Sequence, residues 1–150
     1  MDLQEAESLF NDPEKCIVED IIWSRDPYHT STFIFRETIY CHNLQMTIKG
    51  SFNSDLISTS FTILHPKKMR IYALNHGGTT HENDDGTKNG RLHKHRYRPE
   101  EPSWAYEPDD ITANPDELEK LWKEFCDEAK IYHVGQFFLP DFESGLFDEN

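Results

Sequence analysis

The sequence predicts an α+β protein: an antiparallel five- to six-stranded sheet in meander order, with an N-terminal helix and an amphipathic C-terminal helix packed on one face. Three observations predict this class. Apolar residues recur at helical spacing near the N-terminus, runs between residues 32 and 98 alternate with a period of two, and a helical apolar stripe returns after residue 117. The 150 residues are enough for one core, so we expect a single domain over residues 1–150.

The first helix is predicted between Asp2 and Phe10, where apolar residues lie near helical spacing and Asp2 is placed to cap the N-terminus. Asp12-Pro13 then has the form of another N-cap followed by a proline at the first helical position. We therefore expect a further short helical segment before the chain becomes extended at Ile22-Trp23.

Five runs with alternating apolar and polar residues predict strands, and a short apolar run predicts a sixth. Short turns between successive strands favour an antiparallel meander over crossover connections. The runs are Phe33 to Tyr40, Leu44 to Phe52, Ile57 to Ile63, Met69 to Asn75 and His93 to Arg98, with Trp104 to Tyr106 as the sixth.

The C-terminal helix has the clearest start signal in the chain. Asn114-Pro115-Asp116-Glu117 combines an N-cap, a proline at the first helical position and a capping-box glutamate. Its apolar residues should pack on the sheet, and they are Leu118, Leu121, Trp122, Phe125 and Ala129. The aromatic tail, with Phe137, Phe138, Phe142 and Phe147, is expected either to lie across the fold or to meet a partner.

Composition narrows the classes of function. The formal net charge is −13, which disfavours nonspecific binding to a phosphate backbone. Residues 65–98 are the exception, with eight Lys/Arg against three Asp/Glu. The three cysteines show no CxxC spacing and the N-terminus carries no signal-peptide pattern, so we expect a cytoplasmic protein. No apolar run approaches a membrane span, so no membrane association is expected.

Half of the eight histidines fall between residues 76 and 97 of this positive stretch, at His76, His81, His93 and His95. Asp-Gly and Asn-Gly turn signals between them allow the flanking strands to pair and to bring the imidazoles together. On a strand, His93, His95 and Tyr97 would project to one face and Arg96 to the other. This grouping is the main indication of a functional site.

One interpretation is a metal-independent endoribonuclease. Two histidines with pKa values near neutrality would act as general base and acid while the 2′-hydroxyl of RNA attacks its own phosphate. We expect His81, His93, His95 and Tyr97 as the catalytic group, with Arg91 or Arg96 as the phosphate-binding residue.

A second interpretation is a divalent-metal site, since His-x-His on a strand is a common ligand arrangement. His93-Lys94-His95 followed by Glu100 partly resembles the cupin signature, although Gly86 lies one residue early and no second cupin motif follows. The expected ligands are His76, His93, His95 and Glu100, with His81, Asp84 and Asp85 as alternatives.

A third interpretation is a non-enzymatic acidic inhibitor or antagonist of a nucleic-acid-binding partner, acting in phage defence or in counter-defence as anti-CRISPR-like proteins do. The acidic C-terminal helix would then imitate nucleic acid toward a basic protein. Its partner-binding residues are expected to be Glu119, Glu124 and Glu128.

Residues 70–131 resemble a family of small uncharacterised bacterial proteins with an H-x-N-x-D-G loop and an H-x-H-x-Y strand. Here these motifs are His81 to Gly86 and His93 to Tyr97, followed by Trp104-Ala105. More distantly, the chain is similar to TumE-type toxins of bacterial toxin–antitoxin pairs. That resemblance implies growth inhibition through RNA cleavage, with an antitoxin as protein partner, and it is carried by His81, His93, His95 and Tyr97. Arg91-Leu92 stands where those toxins have a doubled histidine.

Overall fold

The computed structural model describes residues 1–142. Within that range the chain forms two helices and eleven strands, nine of which build one sheet. In chain order they are α1 (Leu3–Asn11), β1 (Lys15–Ile17), β2 (Ser24–Arg25), β3 (Thr32–Cys41), β4 (Leu44–Asn53), β5 (Ser58–Leu64), β6 (Arg70–His76), β7 (His81–Glu82), β8 (Lys88–Asn89), β9 (Leu92–Arg96), β10 (Ala105–Tyr106), α2 (Leu118–Ala129) and β11 (Ile131–His133).

The large sheet follows the order β10-β9-β6-β5-β4-β3-β1-β11, with β2 also paired to β3, while β7 and β8 form a separate hairpin. All pairs from β3 to β10 are antiparallel, which confirms the α+β class. The expected five or six strands were too few. The additional strands β1, β2 and β11 are two or three residues long, too short for alternation to be visible in the sequence.

The helical segment predicted after Asp12-Pro13 is not formed, because Lys15–Ile17 is β1, parallel to β11 and antiparallel to β3. The Lys15 ammonium group donates to the carbonyl oxygens of Leu9, Phe10 and Asp12 at 2.7, 2.7 and 2.6 Å. These contacts satisfy carbonyls at the end of α1. The chain therefore leaves the helix as a strand.

Both helices cover the same face of the sheet. The Trp122 ring of α2 lies 5.7 Å from Phe35 and 5.2 Å from Phe61, and Phe10 of α1 lies 4.7 Å from Tyr72. The predicted apolar stripe of α2 is buried from Leu118 to Ala129, as expected. We call the opposite face of β3, β4, β5, β6 and β9, on which neither helix packs, the open face.

The helix α2 begins at Leu118 with Glu117 as its N-cap and without a side-chain cap hydrogen bond, so the N-cap predicted at Asn114 lies three residues too early. Residues 114–117 instead form a turn before the helix, in which the Asn114 backbone amide donates to the Glu117 carboxylate at 2.8 Å. In the tail, Phe142 packs against Phe33 at 5.2 Å, whereas Phe147 lies outside the described residues. Neither helix within residues 1–142 has the length and apolar character needed to cross a membrane.

Candidate functional site

The segment between β6 and β9 folds into the β7–β8 hairpin. β6 ends at His76, and Gly77 then turns the chain with φ +87°. A Cβ at Gly77 would lie 2.3 Å from the Ile57 carbonyl oxygen, so this position requires glycine. The turn lets β9 return antiparallel beside β6.

Asn83 fastens this hairpin to β10. Its side-chain amide donates to the Ala105 carbonyl at 2.8 Å, and its side-chain oxygen accepts from the Ala105 amide at 2.9 Å. Asn89 donates to the same carbonyl at 3.2 Å. The loop between them closes at Gly86, whose amide donates to the Asn83 carbonyl at 2.9 Å. Two residues before Asn83, His81 is thereby held against the end of the sheet.

Three imidazoles meet there, and we call His81, His93 and His95 the histidine cluster. The ring centroids of His93 and His95 are 4.9 Å apart, those of His81 and His95 5.1 Å, and those of His81 and His93 5.8 Å. His93 and His95 are buried, while His81 is half-buried. The convergence of side chains from two segments is therefore a feature of the fold.

Backbone carbonyls fix the tautomers of the two strand histidines. Nδ1 of His93 lies 2.8 Å from the Gly90 carbonyl oxygen, and Nδ1 of His95 lies 2.9 Å from that of Ser103. A carbonyl oxygen only accepts, so each Nδ1 must carry the proton and each Nε2 carries the lone pair. Nε2 of His93 lies 3.4 Å from the Asn75 amide nitrogen, and Nε2 of His81 is buried with no hydrogen-bond partner in residues 1–142.

The surroundings keep these two rings neutral. Burial, followed by the positive charge of Arg70, lowers the pKa of His95 from 6.5 to about 4. Burial also lowers the pKa of His93, against the opposing effect of its hydrogen bond to Gly90. At pH 7 both therefore present an unprotonated Nε2 that can accept a proton or bind a metal ion.

The cluster opens into a polar cavity of about 400 Å³. Arg70 lines it, half-buried, and forms no ion pair or side-chain hydrogen bond with any residue in the described part of the chain. Burial lowers the pKa of Arg70, as expected for a cation without a counter-ion. Such a cation is suited to an anionic ligand. The remaining wall is mostly small and polar and includes Ser51, Ser58, Thr59, Ser60, Asn75, His76 and Ser103.

A family model described as "Family of unknown function (DUF6978)" matches residues 1–131. The chain belongs to DUF6978. The matched range includes the whole histidine cluster and ends at the first residue of β11. Comparison with the curated proteins and with the solved structures found no match.

Three of the residues predicted for the site of this DUF6978 chain do not line the cavity. Arg96 bonds to the Glu7 carboxylate at 2.7 Å on the helix-covered side of the sheet. The Tyr97 hydroxyl donates to the Met1 carbonyl at 2.9 Å. Arg91 is exposed outside the cavity, and its carbonyl accepts from Gly77.

The structure also separates the predicted metal ligands. His93 and His95 are together and His76 lines the same cavity, but His76 Nε2 lies 2.8 Å from the Ala113 carbonyl oxygen. Glu100 is exposed and does not line the cavity. The cupin-like ligand set is therefore not assembled around one point in this DUF6978 fold.

A different group in the described residues has ligand atoms within 4.8 Å of one another, formed by Asp12, Cys41 and His42 at the β3–β4 turn. The His42 Nε2 and an Asp12 oxygen are 2.9 Å apart. Burial raises the pKa of the Cys41 thiol, which disfavours the thiolate that a metal would need.

Two of the three glutamates predicted to bind a partner have partners within the chain. Glu124 accepts from the amides of Thr112 and Ala113 at 3.0 and 2.8 Å. Glu128 bonds to the fully buried Lys94 at 2.8 Å, and Lys94 also contacts Asp110 at 2.7 Å. Glu119 is exposed. Part of the negative charge of α2 in this DUF6978 chain is thus engaged in contacts within the protein.

Sequence reasoning missed Arg70 as the cation of the cavity. Simple alternation places Arg70 on the same face as Tyr72, which packs under α2. A register shift between Ile63 and Leu64, opposite the start of β6, breaks that alternation and lets Arg70 line the cavity. The available signal was the excess of positive charge in residues 65–98.

Proposed function

We propose that this protein is a metal-independent endoribonuclease that cleaves single-stranded RNA. The observation that carries the proposal is a half-buried Arg70, without a counter-ion in residues 1–142, in the same small cavity as the histidine cluster, where His93 and His95 carry an unprotonated Nε2. Arginine is suited to hold a phosphate, and imidazoles can accept or deliver protons beside it.

The reaction consists of one displacement at phosphorus. His93 accepts the proton of the 2′-hydroxyl as that oxygen forms a bond to the adjacent phosphorus. The bond from phosphorus to the 5′-oxygen breaks, and His81, which must enter the step as the imidazolium ion, delivers a proton to the leaving oxygen and becomes neutral while His93 becomes protonated. The products are a 2′,3′-cyclic phosphate and a 5′-hydroxyl.

The assignment of roles follows from the surroundings of each ring. A pKa of about 4 makes His95 a weak base, so the hydroxyl proton is assigned to His93. His95 lies edge-on to both other rings, at 81° to His81 and 85° to His93, and acts as a positioning residue. His81 is placed on the hairpin opposite them, and its Nε2 has no partner in the described chain.

Arg70 would hold the phosphate and stabilise the negative charge that grows on its oxygens in the transition state. Removing one preorganised donor of this kind typically slows a reaction about 10²-fold or more. The Asn75 side-chain amide lies 3.4 Å from His93 Nε2, so it would have to give way to the 2′-hydroxyl when that nitrogen accepts the proton.

A three-histidine metal centre is the second candidate, favoured by one observation. Ring-centroid separations of 4.9 to 5.8 Å are close to those expected when three imidazoles share a tetrahedral ion. However, the ligand atoms of Asp12, Cys41 and His42 lie within 4.8 Å of one another, whereas the ring nitrogens of the histidine cluster are not gathered so closely. The rings would therefore have to rotate to bind a metal, and the geometry favours the metal-free mechanism.

Incubation of purified protein with a mixed RNA pool in excess chelator tests the proposal. We expect cleavage that His93→Ala abolishes and that His42→Ala, an exposed histidine at a distant turn, leaves intact. Cleavage only after addition of Zn²⁺ or Mn²⁺ would favour the metal centre. An inactive wild-type protein on every RNA tested would contradict the proposal.

The biological setting that we propose is a toxin-like protein acting in the reducing cytoplasm, with an antitoxin as its protein partner. The resemblance to TumE-type toxins supports the role, and the free thiols of Cys16, Cys41 and Cys126 support the compartment. The acidic-antagonist alternative has less support, because Glu124 and Glu128 are engaged within the fold.

A further inference from the structure

The open face of the sheet carries no carboxylate, although the chain contains 28 Asp and Glu residues. Within β3, β4, β5, β6 and β9 the one acidic residue is Glu37. Glu37 pairs with the buried Ile48, so its side chain projects to the helix-covered face. In a protein of net charge −13, this face differs from the rest of the surface in charge.

Side chains on this face form two cross-strand rows that start at the histidine cluster. Residues paired directly across antiparallel strands project to the same face and lie close together. The first row runs His95, Ala73, Thr62, Lys49, Arg36, and the second runs His93, Asn75, Ser60, Ser51, Ile34, Ser24.

The cavity continues into a groove along these rows. A second depression of about 570 Å³ lies beside the cavity, and Ser51 and Ser60 line both. Arg36 and Lys49 line the groove, and both are exposed. Neither forms an ion pair with a residue in the 1–142 range. The groove therefore has two cations available for a ligand, and the cavity has a third in Arg70.

We propose that a single strand of RNA lies across the open face, with successive phosphates near Arg70, Lys49 and Arg36. This inference rests on the proposed function and extends it to the path of the substrate. Four steps of about 4.8 Å between neighbouring strands separate His95 from Arg36, so the first row is about 19 Å long. That length suits about four nucleotides, at the lower end of known single-strand site sizes.

The charge of the groove favours single-stranded RNA over a duplex as its ligand. A flexible strand can follow a narrow row of cations on a protein whose net charge is −13. A rigid duplex presents phosphates over a wider area and would be repelled more strongly by that net charge. The walls contribute hydroxyl and amide groups and no aromatic stacking platform in the two rows, so binding should depend on phosphates more than on bases.

Binding can be measured apart from cleavage with a fluorescent 2′-O-methyl RNA of about twelve nucleotides, which lacks the attacking hydroxyl and still exceeds the site. The test variant is Arg36→Gln/Lys49→Gln. The matched control is Lys120→Gln/Lys123→Gln, which removes the same charge from exposed positions on α2. Thermal unfolding of each variant checks the fold.

We expect the groove variant to bind about ten-fold more weakly than the wild type, with the control within about two-fold. The slope of log affinity against log salt should decrease in magnitude by about 1.4 in the groove variant, because each phosphate contact to a single strand contributes about 0.7. Equal binding by the groove and control variants overturns the proposal.

The proposed function is tested separately by measuring cleavage of unmodified RNA. Groove-dependent binding without cleavage would remove the enzymatic proposal and leave the strand path supported. Cleavage together with binding that does not depend on Arg36 and Lys49 would support the enzymatic proposal and remove the strand path.

Discussion

His93 and His95 place their rings 4.9 Å apart and nearly perpendicular, at 85°, with each Nδ1 bonded to a backbone carbonyl. Two imidazoles fixed in this way line one cavity, and each carries an unprotonated Nε2. The arrangement needs no side-chain partner to set the tautomers, so both rings remain available to a substrate. Their neutrality comes from burial and from Arg70.

Replacement of the base should abolish turnover without loss of structure. We expect His93→Ala to lower the cleavage rate by about 10² to 10⁴, the usual contribution of a general base. His42→Ala should change it less than about two-fold, because that exposed side chain lies at the β3–β4 turn. Single-turnover rates on one RNA, with circular dichroism as a folding check, measure both effects.

His95 should make stability fall at mildly acidic pH. Its pKa is lowered in the folded protein from 6.5 to about 4, so the unfolded chain takes up the proton first as pH falls. Its contribution is fully present above pH 6.5 and is lost between about 6.5 and 4. Between pH 7 and 4.5 the wild type should lose about 2 kcal/mol more than His95→Asn in denaturant unfolding. Equal losses would contradict the assignment.

Asn83 should control the position of His81. Asn83→Ala removes the partner of the Ala105 amide and leaves the Ala105 carbonyl with Asn89 alone, and we expect a loss of about 1 to 3 kcal/mol in stability. The cleavage rate should fall by more than this loss of stability explains, because the hairpin that carries His81 loses its attachment to β10. Asp84→Ala, at an exposed neighbour in the same loop, is the control. Hydrogen exchange at the Ala105 amide should increase only in the Asn83 variant.

Lys94 should be important for folding stability and not for the binding or cleavage of RNA. It is 0% exposed and bonds to both Asp110 and Glu128. Lys94→Met leaves these carboxylates without their cation and should cost about 3 to 5 kcal/mol. The exposed Lys123→Met should cost less than about 0.5 kcal/mol. The triple variant Lys94→Met/Asp110→Asn/Glu128→Gln removes the two carboxylate charges as well as the cation. If it is no more stable than Lys94→Met, the loss of stability does not arise from unpaired charge.

Most of the fold was predictable because its main elements are long and periodic. Strands β3, β4, β5, β6 and β9 and the stripe of α2 were located within a few residues, whereas β7 and β8 were not predicted. β1 and β11 were not, because their pairing joins Lys15 to Ile131 and no local pattern reports a contact between residues so distant in the sequence. Lys15 could not be recognised as a buried cap for α1 without knowledge of the three carbonyls around it.

For the site, strand alternation placed His93 and His95 on one face and Arg96 on the other, and the coordinates agree. The approach of His81 depends on Asn83 and Ala105, which are separated by 22 residues. The choice of Arg70 over Arg91 or Arg96 depends on a local register shift that composition does not reveal. The positions of His81 and Arg70 in the site therefore depend on long-range backbone pairing, which sequence periodicity does not reveal.

The central claim is tested most directly with a DNA oligonucleotide that contains a single ribonucleotide, incubated with the protein in excess chelator. The account predicts one cut, immediately 3′ of the ribonucleotide, that leaves a 2′,3′-cyclic phosphate and a 5′-hydroxyl, as read by mass spectrometry. Cleavage at deoxyribonucleotides, or cleavage that requires added metal, would contradict it.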